Sequence, residues 1–200
     1  MSRPPRFAVF ASGGGRSLEN LCEKIKAREL TAEIGLVVVD KPSAGALERA
    51  ARWQLATATL VKGASESVAD YSARLFDAVE AAGDIELVVL AGFLKLLEIP
   101  LAWRGRVINI HPSLLPAFGG KGYYGDRVHQ AVLERGVEVT GCTVHYVDDE
   151  YDHGRVLLQR WIPVPAGVDA HGLAQAVFEE EKRALPAAIE RHFSRQPSAR

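Results

Sequence analysis

The chain is predicted to adopt an α/β fold with a Rossmann-like open sheet, parallel in its N-terminal half and extended by an antiparallel strand addition in its C-terminal half. Three observations carry that prediction. Apolar, β-branched runs recur up to residue 110, segments of helical spacing separate them, and after residue 125 the order changes to helix, strand, strand.

The runs FAVFA at 7–11, IGLVVV at 34–39, TATLV at 57–61, ELVVLA at 86–91 and VINI at 107–110 read as strands. Between them, Ser17 to Leu30, Ala44 to Trp53 and Ser65 to Ala82 carry apolar residues at steps of three and four. In the last of these they are Val68, Tyr71, Leu75, Phe76 and Val79. Strand alternating with helix means parallel βαβ units, and right-handed crossovers then build a doubly wound sheet covered on both faces. Gly125 to Arg135 reads as a helix. VTGCTVHYV at 139–147 and RVLLQRWIPV at 155–164 read as an antiparallel pair joined by DDEYDHG. Asp169 is placed to cap a last helix ending near Phe193, and SRQPSAR at 194–200 reads as a solvated tail.

Composition narrows the function classes. A chain of 200 residues, 48% hydrophobic and 24% charged, buries one substantial core, and a single domain over 1–193 is expected. A net charge of −1 and a pI near 6.6 argue against nucleic acid or an anionic membrane as partner. The start, MSRPPRF, lacks the apolar region of a secretory signal, and LVVLAGFL at 87–94 is too short for a membrane span, so a cytoplasmic location is expected. Cys22 and Cys142 are too few for a disulfide scaffold and read as free thiols.

Two motifs carry chemistry. Ser12-Gly13-Gly14-Gly15-Arg16-Ser17 lies between a predicted strand and a predicted helix, where backbone N–H groups and the helix dipole favour an anion. Leu18 stands where a dinucleotide fingerprint requires a third glycine or alanine, which weakens a nicotinamide reading; by itself the loop is also compatible with a plain turn. In VINIHPSLLP at 107–116, strand alternation puts Asn109 and His111 on one face, with Pro112 keeping the histidine extended. They sit at the carboxyl end of a strand, where open α/β sheets bind ligands.

Asn109-Ile110-His111-Pro112-Ser113-Leu114-Leu115-Pro116, preceded by AGFLKLL at 91–97 and followed by Asp148-Asp149-Glu150-Tyr151-Asp152, resembles the phosphoribosylglycinamide formyltransferases of the folate-dependent formyltransferase family. The resemblance spans nearly the whole chain. It implies transfer of the formyl group of 10-formyltetrahydrofolate, used as cosubstrate, to the amine of glycinamide ribonucleotide, with no metal and no covalent intermediate. It further implies a ribonucleotide-phosphate-binding half at 1–105 and a catalytic and folate-binding half at 106–193. By the same resemblance His111 is the general acid/base, Asn109 binds the formyl oxygen and thereby the folate, and Asp152 tunes the histidine. Gly13, Gly14, Gly15, Arg16 and Ser17 bind the substrate phosphate, Leu94, Lys95, Leu96 and Leu97 bind folate through their backbone, and Glu181 binds the ribonucleotide. The protein is expected to be a monomer or a homodimer. Val68 departs from members that place an arginine nearby for the folate tail, and Phe118 to Tyr124 resembles a mobile flap. A carboxylate beside His111 would raise its pKa, so a protonated His111 stabilising the transition state is expected.

Other features take plainer readings. Cys142 and His145 have C-x-x-H spacing, but residues three apart on a strand face opposite ways; His145 is assigned a packing or hydrogen-bonding role, with lining of the site from the neighbouring strand as the alternative. His129, His171 and His192 are expected on helix surfaces or ends, and His153 in a polar turn. Asp148, Asp149, Glu150 and Asp152 are expected to be solvated without a required metal, and Trp53, Trp103 and Trp161 to be core or edge packing. Two rival functions use much of the same sequence: a formyltetrahydrofolate hydrolase or a formyltransferase for another amine, and a non-catalytic nucleotide-binding Rossmann module.

Overall fold

The computed structural model describes residues 3–195. Seven strands are hydrogen-bonded in the order β3-β2-β1-β4-β5-β6-β7, the mixed open sheet that the sequence pattern predicts. The chain falls into two compact units, divided between Ile108 and Asn109.

The first unit contains β1 (Arg6–Ala11), α1 (Arg16–Lys26), β2 (Glu33–Val39), α2 (Ala46–Arg52), β3 (Thr57–Thr59), α3 (Val68–Ala81), β4 (Leu87–Leu90) and a 3₁₀ turn at Leu101–Trp103. β1 is parallel to both β2 and β4, with Val9 opposite Val37 and Val89. Covered on both faces, β1 buries Phe7 through Ala11 completely, which is why its sequence is a continuous apolar run. Phe10 packs edge-on against Phe93 with ring centroids 5.4 Å apart and lies near Phe76, which in turn meets Trp103 at 5.5 Å.

At three boundaries the departure from the sequence expectation has a clear local reason. β3 ends at Thr59 because the following carbonyls are used elsewhere: Leu60 O accepts from the Tyr71 hydroxyl at 2.8 Å and Val61 O from Arg74 at 2.9 Å. α1 stops at Lys26, and Arg28 adopts a left-handed φ of 60°. α3 begins at Val68 because the Ser67 hydroxyl accepts from Asp70 N at 3.0 Å, satisfying an otherwise orphaned donor.

β5 (Val107–His111) leads into the second unit, which holds α4 (Asp126–Arg135), β6 (Val139–Tyr146), β7 (Val156–Pro163) and α5 (Ala170–Arg195). β6 and β7 are antiparallel from Val139 opposite Pro163 to His145 opposite Val156, with an irregularity between Val144 and His145. Their approach requires Gly141, since a Cβ there would lie 2.0 Å from Arg160 O. The Asp169 carboxylate accepts from Gly172 N at 2.7 Å at the start of α5, as expected of a cap. α5 packs on β6, β7 and α4 through a stripe that includes Leu173, Val177, Ala184, Leu185, Ala188 and Ile189, all buried.

Several expectations are corrected here. α5 continues through Ser194 and Arg195, so those residues are helix rather than tail; residues 196–200 lie outside the described residues. His129 and His192 are buried, not superficial, because each lies on the inward face of its helix; His192 Nδ1 is 3.1 Å from the Tyr146 hydroxyl. Of the core and edge positions expected for the tryptophans, Trp161 takes the edge: it is 68% exposed on β7, the terminal strand of the sheet. Cys22 and Cys142 are free and buried, and burial pushes both thiols up to about 12, leaving them inert as nucleophiles. Among the described residues no helix is long and apolar enough to cross a membrane.

Candidate active site

In the second unit, Asn109 and His111 project from the same face of the end of β5, two residues apart. Asp152 reaches them from the turn between β6 and β7, where it holds a left-handed φ of 54°, a conformation that few residues other than glycine adopt. One carboxylate oxygen, Oδ2, lies 3.4 Å from His111 Nδ1 and accepts from Gly120 N at 2.9 Å. The other, Oδ1, lies 3.4 Å from Asn109 Nδ2 and 3.6 Å from His145 Nε2. The three residues singled out from the sequence are therefore brought together, and His145 joins them.

Hydrogen-bond partners assign the tautomers. His111 Nε2 is 2.8 Å from Phe118 O, and a carbonyl only accepts, so Nε2 carries the proton and the neutral ring keeps its lone pair on Nδ1, toward Asp152. His145 Nδ1 donates to Tyr146 O at 2.9 Å, which leaves its Nε2 to accept from Asn109 Nδ2 at 3.1 Å. Asn109 is thereby held with its amino group toward His145 and Asp152. The following segment is fixed by Thr143 of β6, whose hydroxyl donates to Ser113 O at 2.7 Å and accepts from Leu115 N at 3.0 Å. Gly119 completes the enclosure, because a Cβ there would lie 2.4 Å from the Leu115 side chain and 3.2 Å from Asp152 Cβ.

Burial dominates the electrostatics of His111. The ring is only 4% exposed, and loss of solvation lowers its pKa below the ordinary histidine value; Asp152 and the Phe118 carbonyl oppose this without overcoming it. The expectation of a protonated histidine is corrected accordingly: at neutral pH the buried ring is neutral, and Asp152 limits the depression. For Asp152 itself, burial favours the neutral acid, but the neighbouring His145 and His111 rings and the hydrogen bond from Gly120 outweigh it, and the carboxyl stays below its usual range.

The glycine loop belongs to the first unit, between β1 and α1. Ala46 N donates to Gly13 O at 3.1 Å and Arg49 Nε to Gly14 O at 2.7 Å, so both carbonyls are turned toward α2. In a trans peptide the next N–H points opposite to the carbonyl, so the amides of Gly14 and Gly15 face away from α2, as an anion site at the start of α1 requires. Gly15 has φ 77°, and a Cβ there would meet Ala46 Cα at 2.8 Å, so this position admits only glycine. Arg16 is exposed and Ser17 half-buried at the first turn of α1.

The segment after β4 is tied to the same loop. Buried Ser12 donates its N–H to Gly92 O at 3.0 Å, and its hydroxyl accepts from Leu94 N at 3.1 Å. Leu94 is exposed, Lys95 Nζ lies 3.9 Å from Asp40 Oδ2, Leu96 is half-buried, and Leu97 is buried in the core. Leu97 thus offers a ligand its backbone only. Glu181 lies half-buried on α5, and after burial its charge is the next influence raising the Cys142 thiol. Val68 opens α3, and Phe118, Gly120 and Gly122 all have positive φ in the segment 118–124. His153 is in an exposed turn, 2.8 Å from Asp148. Among the described residues no group of three or more His, Cys, Asp or Glu side chains is arranged to hold a metal.

The formyl transferase family matches residues 5–189, nearly the whole chain. The chain belongs to the formyl transferase family. It is 38% identical over 190 residues to the chloroplastic phosphoribosylglycinamide formyltransferase of Vigna unguiculata, covering 94% of this chain and 61% of the plant protein. The chain therefore spans about three fifths of that relative's length. It is 35% identical to the phosphoribosylglycinamide formyltransferase of Bacillus subtilis (strain 168), with 92% of each chain covered. The crystal structure of phosphoribosylglycinamide formyltransferase from Bacillus Halodurans superposes with a TM-score of 0.87 at 32% identity, covering 97% of this chain and 98% of that one.

In this formyl transferase, sequence reasoning overlooked the residues that act through backbone atoms or through a third party. Phe118 and Gly120 contribute a carbonyl and an amide, which no side-chain motif announces. His145 was legible as a hydrogen-bonding residue, since it shares a strand face with Thr143, but its place between Asn109 and Asp152 depends on the β6–β7 register. Ser12 and Arg49 carry no motif of their own.

Proposed function

We propose that the chain is a phosphoribosylglycinamide formyltransferase, moving the formyl group of 10-formyltetrahydrofolate to the amine of glycinamide ribonucleotide in purine biosynthesis. The products are N-formylglycinamide ribonucleotide and tetrahydrofolate. The observation that carries this reading is the cluster of buried His111 with half-buried Asn109 and Asp152, in a chain matched along nearly its full length by a bacterial relative of that name. Residues 1–193 act as one formyltransferase domain in the cytoplasm, with these two small molecules as partners and neither nucleic acid, membrane nor metal required.

The substrate amine attacks the formyl carbon, a C–N bond forms, and negative charge develops on the formyl oxygen. Asn109 supplies the donor: one amino hydrogen is held by His145 at 3.1 Å, while the other makes only the long 3.4 Å contact to Asp152 and exchanges it for the oxygen. His111, neutral at pH 7, takes the proton released by the amine, and Asp152 Oδ2 at 3.4 Å from Nδ1 stabilises the resulting imidazolium. The folate C–N bond then breaks and its nitrogen receives that proton. Gly13 to Ser17 hold the substrate phosphate, the backbone of Leu94 to Leu97 holds the folate, and Glu181 binds the ribonucleotide.

Ribonucleotide-dependent turnover of 10-formyltetrahydrofolate tests the proposal. Turnover without an acceptor would make the protein a hydrolase, and binding of a nicotinamide nucleotide in place of folate would return it to the nucleotide-module reading.

A further inference from the structure

We propose that Arg49 of α2, steered by Glu19 of α1, is a positioning residue that sets the affinity of the glycine loop for the substrate phosphate. The inference rests on the function proposed above and assigns a role to residues outside both motifs.

Four contacts define the device. Arg49 Nε donates to Gly14 O at 2.7 Å, its Nη1 donates to Glu19 Oε2 at 2.7 Å, and Arg52 and Trp53 also donate to the Glu19 carboxylate. Glu19 sits in the first turn of α1, the helix that the loop enters. One guanidinium therefore links the loop backbone to the helix the loop precedes. Hydrogen bonds from Trp53 first, then from Arg49 and Arg52, hold the Glu19 carboxyl below its usual range, so it remains an anion throughout the working pH range.

The consequence follows from peptide geometry. With the Gly14 carbonyl captured by Arg49, the Gly15 amide on the same planar unit must point the opposite way. Gly14 and Gly15 have no side chain to enforce this, and glycine backbone is otherwise the least restricted of all. The cation also lowers the cost of gathering a phosphate dianion at the loop, an effect the Glu19 charge moderates without cancelling. The guanidinium donates through Nε and Nη1 at fixed angles, which a lysine ammonium cannot reproduce, so the two residues are not interchangeable at this position.

The experiment compares wild type, Arg49→Ala, Arg49→Lys and Glu19→Gln in steady-state kinetics with both substrates. It adds calorimetric titration of each protein with inorganic phosphate. The expected result for Arg49→Ala is a rise of about tenfold in KM for glycinamide ribonucleotide, the size of one charge-assisted hydrogen bond. Phosphate affinity should fall by the same factor, with KM for formyl-folate and kcat within about twofold of wild type. Arg49→Lys should fall between the two, and Glu19→Gln, which loosens the hold on Arg49 but also removes a negative charge near the loop, should change KM for the ribonucleotide and phosphate affinity by less than Arg49→Ala, leaving KM for formyl-folate and kcat within about twofold. A merely structural role predicts instead a lower melting temperature with kcat and both KM values shifting together, or no change in phosphate affinity; either overturns the proposal. Should Arg49→Ala fail to fold, Arg49→Lys and Glu19→Gln decide it by the same criteria. Should wild type show no ribonucleotide-dependent turnover, the functional reading fails while the phosphate titrations still judge Arg49.

Discussion

Replacing Asp152 by asparagine removes one charge while keeping the shape of the side chain, and so isolates its electrostatic role. The carboxylate stands 3.4 Å from His111 Nδ1, and its charge raises a histidine pKa that burial has already lowered. At that separation an effective dielectric of about 20 gives an attraction of roughly 5 kcal/mol. Lost solvation of the carboxylate and the polar neighbours reduce the realised effect, and an opposite charge at such range shifts a pKa by about 1–3 units. The His111 pKa should therefore fall by about 1–2 units in Asp152→Asn. Observed by NMR on histidine-labelled protein, the ring would titrate at a still lower pH. In the pH–rate profile the acidic limb assigned to His111 would move down by the same amount, and the plateau would drop about tenfold to a hundredfold because the imidazolium formed in the reaction loses its partner. An unchanged His111 titration, or an upward shift, would refute the electrostatic role assigned to Asp152.

Asn109→Ala should lower kcat by about 10²–10³, with a much smaller change in the binding of formyl-folate, as stopped-flow and equilibrium titration would show. Gly15→Ala should raise KM for the ribonucleotide and destabilise the protein by about 1–3 kcal/mol in urea denaturation, since the added Cβ lies 2.8 Å from Ala46 Cα and φ is 77°. Ser12→Ala should cost about 0.5–1.5 kcal/mol by the same assay, the net worth of the hydrogen bond that Leu94 N loses, since Leu94 is itself exposed. Stability should also decline on the acid side. His111 and His129 both have folded pKa values lowered by burial, so below about pH 6.5 the unfolded chain binds more protons and stability falls toward the folded values. His129→Phe should flatten that decline, by up to about 1.4 kcal/mol per pH unit, when thermal melts are compared between pH 7 and pH 5.

The strand and helix pattern was legible because β1, β2 and β4 are covered on both faces and must be continuously apolar, while α3 repeats its buried residues at helical steps. Boundaries were less so, since the ends of β3 and α1 depend on the Tyr71 hydroxyl and on the left-handed Arg28, which act beyond any local window. Asn109 and His111 could be paired from alternation alone, but Asp152 lies on a distant turn, and only the family resemblance joined it to them. The sign of the His111 shift was misjudged because it turns on burial, and a sequence shows a neighbouring carboxylate more readily than a lost hydration shell. Whether Trp161 lies in the core or at an edge was not legible for a similar reason: its strand is apolar in composition, yet it ends the sheet and leaves the indole exposed.

The most direct test of the account is turnover of 10-formyltetrahydrofolate by the purified protein, followed spectroscopically with and without glycinamide ribonucleotide, beside His111→Ala. Turnover that requires the ribonucleotide and collapses in the variant is the predicted result; turnover that proceeds without the ribonucleotide, or survives the loss of His111, would contradict it.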